Sequence, residues 1–189
     1  MIPATTVEQH ITQWLQRMVI DQNLCPFAKK PFTAGLVRIA VSEAHNDEAL
    51  LSALHDEITL LNSRKPEALE TTLLVAPRML DDFLDYNDFL DLADGLLEQY
   101  GWQGVYQIAS FHPRYQFAET EVDDAENYTN RAPWPVLHIL REASLETAIA
   151  TYPNPDNIPL RNIDTMQRLG EEVLSKTLED ILKDSGSSH

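Results

Sequence analysis

The chain has 189 residues, enough for one domain with a sizeable core, and its 43% hydrophobic content is ordinary for a globular protein. Thirty acidic residues against fourteen basic ones give a formal charge of -16, a field that repels phosphate backbones and anionic lipid and so argues against nucleic-acid or membrane-surface binding. The single cysteine, Cys25, excludes an internal disulfide, as expected of a protein in a reducing cytoplasm.

The first stretch, MIPATTVEQHITQWLQ, has neither a basic n-region nor an apolar h-region, so it does not read as a signal peptide. Val7, Ile11, Trp14, Leu15, Met18 and Val19 recur at helical spacing and predict a helix over 6–20. Thr5 and Glu8 have the form of a capping box at its start. Pro26 then enforces an extended or turning segment, NLCPFAKKPF, because a residue before proline avoids helical angles. LVRIAV, 36–41, reads as a strand. Asn46 reads as the N-cap of a second helix whose apolar face is Leu50, Leu51, Leu54, Ile58 and Leu61. The largely apolar TTLLVA, 71–76, fits a strand covered on both faces.

A third helix is expected over 79–99, with Gly101 as its C-cap. Its acidic series from Asp81 to Asp94 spirals around more than one face, which favours solvated surface over a metal site. A strand over 103–110 leads into a long loop, and VLHIL, 136–140, is a fourth strand. Helices are expected over 144–151 and 164–183, joined by the proline-rich link YPNPDNIPLRN. The expected fold is α/β: a single domain over 1–183, with a mixed sheet of about four strands and packed helices, then a frayed tail over 184–189. The fourth strand follows a loop without a crossover helix and is the candidate for an antiparallel strand. A two-layer, ferredoxin-like α+β fold is the alternative. No apolar run approaches the roughly 20 residues that span a bilayer.

Chemistry-bearing residues concentrate over 105–141. A loop of this length is functional or disordered, and its aromatics Phe111, Tyr115, Phe117, Tyr128 and Trp134 argue against disorder. His112 ends the third strand, where ligands bind in parallel sheets, and Pro113 stiffens the exit. It is a candidate general base, metal ligand or anion donor, or else a histidine satisfied by loop carbonyls. His138 shares a strand face with Val136 and Leu140, and reads either as a buried core residue or as a partner of His112. Arg114, Arg131 and Arg141, with Asn130, are candidates for fork-like binding of a carboxylate or phosphate; tying the loop to its own acidic residues is the alternative. Cys25 is a candidate nucleophile if a base lies within reach, and otherwise a small buried hydrophobe. No zinc spacing, phosphate-binding glycine loop, nucleophile elbow or dinucleotide fingerprint occurs.

NLCPFA, TTLLVAP, DFLDYNDFLD, IASFHPRYQFA, NYTNRAPWPVLHILREASLE and IPLRNI together resemble an uncharacterised bacterial family, domain of unknown function 1415, from the first helix to about Gly170. The resemblance brings no activity. It implies that Cys25, Pro26, Asn87, Asp88, His112, Pro113, Asn130, Arg131, His138, Arg141 and Glu142 belong to the family's motifs. In that light Asp88 becomes a candidate partner for a histidine or for Arg131. Two functions compete. One is an enzyme acting on a small anionic metabolite, with His112 as acid–base, Cys25 and His138 as further catalytic candidates, and Asn130, Arg114, Arg131 and Arg141 on the substrate. A metal variant of it pairs His112 and His138 with a carboxylate such as Asp88 or Asp124. The other is a non-catalytic ligand-binding or protein-interaction domain. Cofactor, reaction and oligomeric state are not legible.

Overall fold

The computed structural model describes residues 2–184. Four strands form one sheet in the order β1-β2-β4-β3: β1 (Val37–Val41), β2 (Thr71–Val75), β3 (Tyr106–Phe111) and β4 (Val136–Arg141). β1 and β2 run parallel, while β4 is antiparallel to both β2 and β3. The fourth strand is therefore the antiparallel one, inserted between two strands that a helical crossover has separated. The expected mixed α/β sheet is what forms.

Helices cover both faces, so the two-layer ferredoxin-like alternative does not apply. Alternation along the strands explains the three layers. Leu73, Val75 and Val136 point to one face, beneath α1 (Ala4–Trp14), and form a cluster with Val7, Ile11, Trp14 and Met166. Leu74, Leu137 and Ile139 point to the other, beneath α3 (Asp47–Asn62) and α4 (Phe83–Gln99), and pack with Leu50, Leu54, Phe89 and Tyr106. Every residue of β2 is buried, as its apolar run demands. Asn46 caps α3 through Ala49 N (2.9 Å). Gly101, at φ +68°, ends α4 with paired bonds from Gly101 N to Glu98 O and from Trp102 N to Leu97 O, the latter at 2.8 Å.

Several boundaries differ from the sequence reading. α1 starts at Ala4 behind Pro3, which places Thr5 inside the first turn and leaves no side-chain cap. The first helix does not run uniformly to 20: Leu15–Ile20 is a π-turn, with Asp21 N bonded to Gln16 O at 2.9 Å. The expected extended or turning segment is a turn over 26–28 and then a short helix, α2 (Lys29–Thr33), which tolerates Pro31 because a proline in a first turn needs no N–H. The helix expected from 79 begins at Phe83. Leu80 is left-handed (φ 62°), and Asp82 caps α4 through Leu84 N at 2.8 Å. After α5 (Glu142–Thr151), the proline-rich link is itself partly helical. α6 (Ile158–Leu169) begins there, with Pro159 in its first turn. Gly170 separates α6 from α7 (Glu171–Lys183). Of the tail expected from 184, only Asp184 lies within the described residues. No described helix is long and apolar enough to cross a membrane.

Candidate functional site

The long loop after β3 is ordered by side chains that bond its own backbone. His112 is fully buried. Its Nδ1 accepts from Arg114 N (3.0 Å), so its Nε2 carries the proton and donates to Leu80 O at 2.8 Å. Ring contacts to Phe83 (5.4 Å) and Tyr86 (5.1 Å) close the space around it. Burial lowers its pKa, with the Leu80 carbonyl opposing. Both nitrogens are thus committed, and the ring clasps the left-handed Leu80 turn to the exit of β3.

The arginines are committed in the same way. Arg131 donates from Nε to Tyr115 O (3.1 Å) and from Nη2 to Val122 O (2.7 Å), while its guanidinium lies 4.5 Å from the centre of the Tyr128 ring. Asn130 donates to Ser110 O at 3.0 Å, and its own carbonyl accepts His112 N. Arg114 donates to Asp81 O and lies 3.7 Å from Asp82. Arg141 is elsewhere: its Nη2 reaches Leu61 O (2.6 Å), Arg64 O (2.9 Å) and Leu69 O (3.1 Å), capping the carbonyl end of α3. Apart from the Asp82 carboxylate near Arg114, these partners are backbone carbonyls, and not the loop carboxylates of the alternative reading. Asp88 is exposed and bonds neither a histidine nor Arg131.

His112, Arg114, Asn130 and Arg131 therefore share one loop network, and His138 is not part of it. β3 and β4 are neighbours, yet His138 sits opposite Ala109, on the sheet face that carries Val136. The His112 ring packs on the α4 side. No described group of three or more His, Cys, Asp or Glu side chains gathers to hold a metal ion.

His138 keeps one ring nitrogen free. Thr71 Oγ1 donates its proton to Ile139 O at 2.6 Å. The contact of that hydroxyl with His138 Nε2 (2.8 Å) must therefore be Nε2–H donating to oxygen. The tautomer is fixed, and Nδ1 keeps a lone pair with no partner among the described residues. Burial lowers the pKa to about 4, so the ring is neutral at pH 7. The sheet around it is incompletely covered. Ala109 and Leu140 on the same face are only partly buried, Gln107 is exposed, and none of the three joins a core cluster. Phe111, whose ring centre is 6.2 Å from that of His138, borders the opening.

Cys25 packs against the apolar cluster of this face. Burial raises its pKa, with the amides of Phe27 and Ala28 pulling the other way, so the thiol is protonated at neutral pH. It follows the π-turn, a distortion that recurs at functional sites. α6 and the end of α5 join this segment: Asn162 of α6 donates to Leu24 O at 2.8 Å, and Tyr152, just after α5, meets Phe27 edge-on at 5.4 Å. Arg161, exposed, donates to Tyr152 OH at 2.9 Å. Arg161 is not among the candidates named from the sequence; its place in IPLRNI is the available signal.

The comparisons agree with the resemblance. A family model described as a protein of unknown function (DUF1415) matches residues 6–176. No curated protein and no solved structure matches. The model spans most of the chain, and the protein belongs to the DUF1415 family.

Proposed function

We propose that the protein is an enzyme acting on a small anionic molecule, with His138 as its proton acceptor. One observation carries the reading: His138 is neutral, held through Nε2, and open at Nδ1 on a partly uncovered sheet face. A general base needs a free lone pair and a fixed orientation, and the Thr71 bond supplies the second. Charge supports the anionic substrate. The chain carries -16 overall, yet residues 22–42 contain no acidic side chain. Lys29, Lys30, Arg17 and Arg161 form no ion pair among the described residues. They flank Cys25 or belong to α6, which bonds that segment. The anion-binding role thus falls on Lys29, Lys30 and Arg161, because Arg114, Arg131 and Arg141 already bond carbonyls. Cys25, a thiol in the free protein, acts as nucleophile only where a base takes its proton.

A non-catalytic ligand-binding domain is the second reading, favoured by the number of polar side chains committed to the loop network. One experiment serves both. Wild type, His138→Gln and Arg161→Ala are screened by thermal shift against small carboxylates and phosphates. The expected result is a concentration-dependent rise in Tm for one anion class, lost in both variants. Binding unchanged in both variants would contradict the site. Binding without turnover of the same compounds supports the second reading.

A further inference from the structure

We infer that the outer edge of β1 is a docking site for an extended, basic peptide segment of a partner protein. β1 ends the sheet, pairing only with β2. Ser42 N bonds Val75 O (2.8 Å) and Leu36 O accepts from Thr71 N (3.4 Å), so the even-numbered residues between them face β2. The N–H and C=O groups of Val37, Ile39 and Val41 therefore point outward, and the N–H groups of Ile39 and Val41 have no partner among the described residues. An unpaired edge is a template for another strand.

Space and charge narrow the occupant. A cavity of about 340 Å³ runs along this edge between α1 and α3, lined by Ile39 to Ser42 and by the small residues Ala4 and Ala53. Glu8 borders it on the α1 side, with Asp56 and Glu57 on the α3 side. Glu57 is neutralised by Arg38 through two bonds of 2.8 and 3.0 Å. Asp56 meets only the His55 ring, at 3.4 Å, and Glu8 forms no ion pair among the described residues. Two carboxylates thus flank the outward peptide groups of β1, a pattern complemented by a strand carrying lysine or arginine with small apolar neighbours. A second copy of this chain would bring the same negative charge to the groove.

The probe is a blocked eight-residue peptide alternating valine and lysine, added to the full chain and followed by amide NMR. A second peptide replaces two valines by proline; it keeps the charge and loses the ability to pair as a strand. The expected result is shifts at Val37, Ile39 and Val41, with the proline peptide binding at least ten-fold more weakly. Ile39→Pro removes an outward donor without touching the β1–β2 ladder, and Glu8→Gln with Asp56→Asn removes the charge; each is expected to weaken binding ten-fold or more. Equal affinity for both peptides, shifts centred on β3, or no binding would overturn the inference. So would concentration-dependent shifts at β1 without peptide, which would make a second copy the occupant.

Discussion

Replacing His112 with alanine is expected to cost roughly 3–5 kcal/mol of stability and to lower Tm by about 10 °C. The change strands two groups at once. Leu80 O loses its donor and Arg114 N its acceptor, both next to a fully buried ring position. Each unsatisfied group costs about 1–3 kcal/mol, and the vacated space against Phe83 and Tyr86 adds to it. Leu80 compounds the effect, since its left-handed backbone is unfavourable for a leucine and is held partly by this bond. His138→Gln should behave differently, because it leaves one hydroxyl contact to be remade on a partly uncovered face. Urea titration of both variants checks the contrast. An alanine variant at 112 that unfolds like wild type would show that the clasp is not holding the loop, and would return His112 to the catalytic candidates.

Acid should destabilise the protein through its histidines. His138 has an ordinary pKa of 6.5 and a folded one of about 4. Between these values the unfolded chain binds more protons than the folded one, so stability rises with pH and falls as pH drops. The loss begins near pH 6.5, is complete below about pH 4, and amounts to about 3 kcal/mol for this one residue. His10 and His112, also lowered by burial, act in the same direction. Unfolding free energies at pH 7 and pH 4.5 test this, with His138→Gln as the control. The variant is expected to lose much of the acid sensitivity; an identical pH slope in the two proteins would mean that His138 titrates normally.

The layers of the fold were legible because they follow period. The continuous apolar runs of β2 and β4, and the apolar stripe of α3, carry the sheet and its covering helices without reference to anything distant. The absence of a crossover helix before β4 was enough to mark it as the antiparallel strand. What failed was local and stereochemical. The π-turn over Leu15–Ile20 has the same apolar spacing as a helix, and Pro159 reads as a breaker although a proline in a first turn is harmless. The Leu80 turn hides in the same way, since nothing in its sequence marks a left-handed leucine.

The site was less legible, for a different reason. Its region and most of its residue types stand out in the sequence, but their roles depend on partners far along the chain. His112 is committed by Leu80, 32 positions away, and His138 is left open because Thr71, 67 positions away, can only accept from it. The partners of Arg131 and Arg141 are backbone carbonyls, which no composition reveals. Arg161 is tied to Tyr152, which meets Phe27, and its neighbour Asn162 bonds Leu24 O; none of these pairings is local in sequence.

The most direct test of His138 as the available base is nitrogen-detected NMR of the histidine rings across pH 4 to 7. Expected is a His138 ring in the Nε2–H form at neutral pH, with an unprotonated Nδ1 and a pKa well below 6.5. A proton on Nδ1, or titration near 6.5, would contradict both the Thr71 bond and the proton-acceptor role built on it.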